Sequence, residues 1–65
     1  MKIVYDRETD TLVIALSEER IQESDEIRPG VIADFSYDGK IVRFEILHAS
    51  QIVPKATEMQ FAVEA

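Results

Sequence analysis

The chain has 65 residues, a formal charge of −6 and no cysteine, which describes one small domain with neither a disulfide framework nor a cysteine metal site. No apolar run approaches the roughly 18–20 residues that cross a bilayer as a helix, and no basic-then-apolar leader opens the sequence, so a cytoplasmic protein with no membrane partner is expected. Thirteen acidic residues against seven basic ones repel phosphate backbones, which argues against direct nucleic-acid binding and suits a basic protein partner, although the same charge also serves plain solubility.

Lys2 to Tyr5 is a short β-prone run, Asp6 to Asp10 a polar turn, and Thr11 to Leu16 a second strand rich in β-branched residues. Antiparallel pairing of Tyr5 with Leu12 and Ile3 with Ile14 gathers Ile3, Tyr5, Leu12, Ile14 and Leu16 on one face. Val4, Val13 and Ala15 fall on the other. Both faces are then fairly apolar, and such a strand pair wants cover on two sides, from a dimer interface or from the C-terminal segment. Ser17 to Arg20 reads as a turn or the start of a polar excursion. Ile21 to Ile27 lacks a helical stripe and reads as an exposed edge strand whose charges guard against edge pairing. Pro29-Gly30 punctuates the chain.

Val31 to Leu47 is the strongest local signal, a β-hairpin with Asp38-Gly39 at its tip, where positive φ is tolerated. A four-residue loop, Tyr37 to Lys40, sets Phe35 opposite Val42, Ala33 opposite Phe44 and Val31 opposite Ile46. A three-residue loop would shift the register by one and turn one apolar row to water. Asp34 and Arg43 face each other on the opposite side, as do Ile32 and Glu45. Beyond Leu47, one or two helical turns are expected over Ala49 to Val53, limited by Pro54. In the tail, Met59, Phe61 and Val63 alternate as in a strand, while Ala56, Met59 and Val63 also fit one helix face.

The expected fold is therefore α+β: a small four-stranded antiparallel β-meander with a short C-terminal helix and a candidate fifth strand in the tail. The chain is one domain, 1–65, with a core over 1–52 and a C-terminal extension over 53–65. Such a chain buries only about 60% of its unfolded surface, and small domains without staples tend to oligomerise.

Candidate chemistry is sparse. Asp6, Glu8 and Asp10 alternate in a loop, but no glycine follows Asp10 and the twelfth position is Ser17, unlike a calcium loop. Turn capping by Asp6 and Asp10 through their own backbone is the simpler account. His48 is the single histidine, and nothing in the sequence orients Ser50 and Glu45 beside it as a triad. Asp34, Arg43, Glu45 and His48 are the candidates for a ligand or interaction site at a subunit interface. No catalytic residue, metal ligand or cofactor is assigned, and the two glycines are isolated, so no phosphate loop is present.

Several segments carry a family resemblance. They are Tyr5-Asp6, Asp10, Ser17, Pro29-Gly30, Asp38-Gly39 and the run Glu45-Ile46-Leu47-His48-Ala49-Ser50. In this order, over about residues 1–52, the chain resembles the bacterial domain-of-unknown-function 2283 family of small proteins. Arg7, Arg43 and His48 depart from the residues common there. The resemblance implies no agreed activity and no catalytic residues. It does suggest an arrangement beside toxin-like ribonucleases, and so an antitoxin-like subunit masking a basic enzyme. Three readings follow: a non-catalytic interaction module forming a homo-oligomer, that antitoxin-like subunit, or a small enzyme or ligand-binding protein with its site between subunits.

Overall fold

The computed structural model describes residues 1–52. They form one five-stranded antiparallel sheet and a short helix: β1 (Lys2–Asp6), β2 (Thr11–Ala15), β3 (Ile21–Arg28), β4 (Val31–Ser36), β5 (Ile41–Ile46) and α1 (Ala49–Ile52). The strand proposed in the tail lies outside the described residues.

The sheet order is β1-β2-β5-β4-β3, so the expected four-stranded meander is corrected in both count and path. The edge strand expected over Ile21 to Ile27 is present as β3, so the strands number five, and β2 lies beside β5 instead of β3. The reason is visible in what each strand offers a neighbour. β2 is apolar on both faces and belongs in the interior, where its Leu12 and Ile14 stand opposite Ile46 and Phe44 of β5. All eight residues of β3 are exposed, and a strand carrying Glu23, Asp25 and Glu26 can only sit at an edge. The chain from Leu16 to Arg20 therefore crosses the end of the sheet, three strand spacings or about 14 Å, which five residues span with ease. Arg20 rests over the Tyr37 ring, 5.7 Å from its centre, where this crossing passes the β4–β5 turn. The path of β2 to β5 is that of a Greek key.

The β1–β2 register is the one expected, Tyr5 against Leu12 and Ile3 against Ile14. In the central hairpin, Val31–Ile46, Ala33–Phe44 and Asp34–Arg43 also pair as expected. Phe35, however, pairs with Ile41, not Val42, across a register shift. The turn explains why. Gly39 N–H donates to the Ser36 carbonyl at 3.0 Å and Ser36 N–H donates to the Lys40 carbonyl at 2.9 Å. With Gly39 at φ 84°, this is the tight turn with a left-handed glycine that closes a three-residue loop. A bulge then takes up one residue of β5, so Ala33 still meets Phe44 and the apolar row stays on its side. The turn that the four-residue loop was chosen to avoid is thus present, and the bulge removes its penalty.

At the other end, Pro29-Gly30 joins β3 to β4, with Gly30 at φ 78°, as a turn needing positive φ at its third position requires. The pairing is shifted between Glu26 and Arg28, a bulge beside the turn. Leu47 N–H donates to the Gly30 carbonyl at 2.8 Å and ties this turn to the end of β5.

The core is thin. Tyr5, Leu12 and Ala49 form its centre, with Ile3, Ile14 and Ile46 packed around them. α1 covers this one end of the apolar face. Val4, Leu16, Ile21, Ile27 and Ile41 stay exposed, as do Met1, Tyr37 and Ile52. No helix among the described residues is long and apolar enough to cross a membrane.

Leu12 is 1% exposed, and Leu12→Ala is expected to lower unfolding free energy by about 2–3 kcal/mol in urea titration. Val4→Ala, at a position 41% exposed, should cost well under about 1 kcal/mol. Gly30→Ala should cost about 1–2 kcal/mol through its positive φ.

Candidate functional site

Two polar clusters lie on opposite sides of the sheet. The first is built around Asp10, the last residue of the β1–β2 turn, held at φ 53°. Left-handed backbone is open to aspartate, whose short polar side chain bonds locally. Here it reaches much further than its own turn. Its Oδ1 accepts from the Tyr5 hydroxyl at 2.6 Å and from Ser50 N–H at 3.0 Å. Oδ2 accepts from the Ser50 hydroxyl at 2.7 Å. Its backbone carbonyl accepts from Ala49 N–H at 2.9 Å. The first amides of α1 are thereby capped by a residue 40 positions earlier. The expectation that Asp10 caps its own turn is corrected, whereas Asp6 does so, accepting from Glu8 N–H at 2.9 Å.

These bonds fix the ionisation of the cluster. The Tyr5 hydroxyl, and after it the Ser50 hydroxyl, hold the Asp10 carboxyl below its usual range. The bond to Asp10, and after it burial, pushes the Tyr5 phenol up. Tyr5 is therefore a neutral donor at neutral pH and Asp10 a charged acceptor.

The second cluster is a rib across β3, β4 and β5. Ser24 stands opposite Asp34 and Asp34 opposite Arg43, with Ala15 beyond Arg43 in β2. Asp34 is 2% exposed. Its Oδ1 accepts from the Ser24 hydroxyl and its Oδ2 from Arg43 Nε at 2.7 Å. A buried carboxylate needs such partners, and both of its oxygens have one. Arg43 keeps a side chain 40% exposed, so its outer edge meets water.

Of the four candidates, then, Asp34 and Arg43 meet as an ion pair. Glu45 lies two residues along β5 on the Arg43 face, opposite Ile32 and Val13. It makes no side-chain bond to the pair among the described residues. His48 is exposed on the opposite flank, at φ 52° just before α1, and the charge it places near Asp10 helps hold that carboxyl down. The four do not converge. No three of His, Asp and Glu gather as a metal site among the described residues, and the groove at Met1, Lys2, Ala15, Leu16, Ser17 and Glu18 is shallow and open.

A smaller device holds the hairpin tip. The Ser36 hydroxyl donates to Asp38 Oδ1, Lys40 N–H donates to the same oxygen at 3.2 Å, and the Ser36 bond above all lowers the Asp38 carboxyl.

Residues 2–50 match the model of a family described as "Protein of unknown function (DUF2283)". The chain belongs to that family. No curated protein and no solved structure matches it. Tyr5, Asp10 and Ser50, the three side chains of the first cluster, all fall inside the matched span.

Lowered carboxyl pKa values at Asp10 and Asp38 give stability that is present above the unfolded value near 3.8. It is lost as pH falls through the lower folded values. The raised Tyr5 value gives stability present below 10.0, lost as pH rises through the higher folded value. Thermal melts from pH 2 to 11 should therefore show a plateau with two falling limbs, and Asp10→Asn should lower the plateau and flatten both limbs. Asp34→Ala is expected to cost about 2 kcal/mol in urea titration, because Ser24 and a half-exposed Arg43 lose their partner.

Proposed function

We propose that this member of the DUF2283 family is a non-catalytic interaction module that works as a homo-oligomer. One observation carries the proposal: the sheet is a single layer whose apolar side chains outnumber those it hides. Among the described residues, Tyr5, Leu12, Ala33, Val42 and Ala49 are the buried hydrophobics, two of them alanines, while eight large ones from Met1 to Ile52 are at least 37% exposed. Apolar surface left in water on a chain this small is surface for another polypeptide. The polar clusters support the non-catalytic part. Each carboxylate with a perturbed or buried environment is already bonded within the fold, and Asp34, Arg43, Glu45 and His48 are divided between two places.

A second reading has its own support. β3 presents Glu23, Asp25 and Glu26 along an exposed edge, close in sequence to Glu18 and Glu19. An acidic strip on a free edge suits a basic protein partner, which for an antitoxin-like subunit would be a toxin-type ribonuclease. Binding of such a partner would weaken steeply with salt.

Sedimentation of the full chain should show a dimer or larger species that dissociates on dilution. A strictly monomeric chain up to millimolar concentration would remove the homo-oligomer. Co-expression with the product of the neighbouring gene separates the second reading, since failure of the two to co-purify at low salt would end it.

A further inference from the structure

The proposed homo-oligomer needs a contact, and the two edges of the sheet are not equivalent as sites for one. Among the described residues, β1 and β3 each leave one row of backbone N–H and C=O groups without a neighbouring strand. Laying a second β3 antiparallel on the first, about the centre of Ile21–Arg28, sets Glu23 against Glu26 twice and Ser24 against Asp25. Like charges directly opposite are unfavourable. Register shifts near both ends of β3 also interrupt the straight row that a new strand would need. That edge repels its own copy.

β1 is the reverse case. Its pairing with β2 runs without a shift from Lys2 to Asp6, so its outer row is regular. Its sequence, Lys-Ile-Val-Tyr-Asp, is complementary to itself when read antiparallel about Val4. Lys2 meets the partner's Asp6 at both ends, Ile3 meets the partner's Tyr5, and Val4 meets its own copy on the axis. Lys2, Val4 and Asp6 share one face and are exposed, Val4 at 41%. Ile3 and Tyr5 share the other face and belong to the core layer, so pairing here continues that layer into the second copy.

From this charge complementarity we infer that the homo-oligomer is a two-fold dimer made by antiparallel β1–β1 pairing. Two five-stranded sheets then join into one, with both acidic β3 edges left outermost. A two-fold contact closes on itself, whereas β1 against β3 would leave an open edge at each end and grow into fibres. Five residues a side fall below the size of a standard stable interface. The dimer is therefore weak, dissociating between micromolar and millimolar concentration.

The test is sedimentation equilibrium of the full chain and its variants, with circular dichroism to check folding. Lys2→Asp alone and Asp6→Lys alone each set like charges opposite at both ends and should weaken self-association about tenfold. An equimolar mixture of the two should form a heterodimer at least as tight as the wild type, because every carboxylate of one chain then faces an ammonium of the other. Val4→Lys, which touches no buried position, should give a monomer, and Asp25→Lys on β3 should leave the dimer unchanged. Wild type that dimerises while Lys2→Asp, Asp6→Lys and Val4→Lys dimerise equally well would overturn β1 pairing and leave the homo-oligomer standing. Wild type that never dimerises would overturn both.

Discussion

One carboxylate ties the first hairpin of this chain to the short helix α1. Asp10 sits where the first hairpin turns, and from there it binds the phenol of Tyr5 in β1 and the amide and hydroxyl of Ser50 in α1. The helix has only four residues, far too few to be stable alone. Its position over Tyr5 and Leu12 is set by these bonds and by burial of Ala49. Without Asp10, the amide of buried Ala49 would lose its acceptor, while the exposed Ser50 amide would turn to water. The cluster thus couples the hydrogen-bonded cap to the one well-packed part of the core, and the strained backbone at Asp10 and His48 is the local cost of bringing the two segments together.

What the sequence made legible was local. Asp38-Gly39 and Pro29-Gly30 announced their turns, the charges of β3 announced an edge, and the helix expected from Ala49 begins there. The alternation that sets Val31 and Ala33 against Ile46 and Phe44 was also real, and only Phe35 departs from it. Turn chemistry and hydrophobic register disagreed by one residue, and sequence reasoning settled the disagreement by lengthening the loop. The protein settles it with a bulge, which alternation cannot reveal because a bulge leaves both flanking patterns intact. Strand order was hidden for another reason. Whether β2 neighbours β3 or β5 depends on which candidate offers apolar partners to Leu12 and Ile14, a comparison between distant segments.

The site was legible only in part. Asp34 and Arg43 were found because they face each other across a hairpin of known register. Glu45 and His48 were grouped with them by nearness in sequence, and the twist of the chain after Leu47 carries His48 to the other cluster. Tyr5, Asp10 and Ser50 all carry the family resemblance, yet nothing in the sequence joins them, since 40 residues separate the aspartate from the serine. The positive φ of Asp10 is what frees its side chain to leave its own turn, and no composition or spacing rule predicts that conformation at a non-glycine residue.

The two polar clusters and the two edges point the same way. Polar groups that are buried have been satisfied inside the fold, leaving no buried side-chain N or O without a partner among the described residues. What has been left unsatisfied is apolar area and backbone at the rim. Among the described residues the interior is finished and the exterior is not, and the two rims differ in charge pattern. The β3 rim is acidic and broken by bulges. The β1 rim is straight, with an ammonium at one end, a carboxylate at the other and a valine between. A sheet with one guarded edge and one self-complementary edge can add a single further copy and then stop.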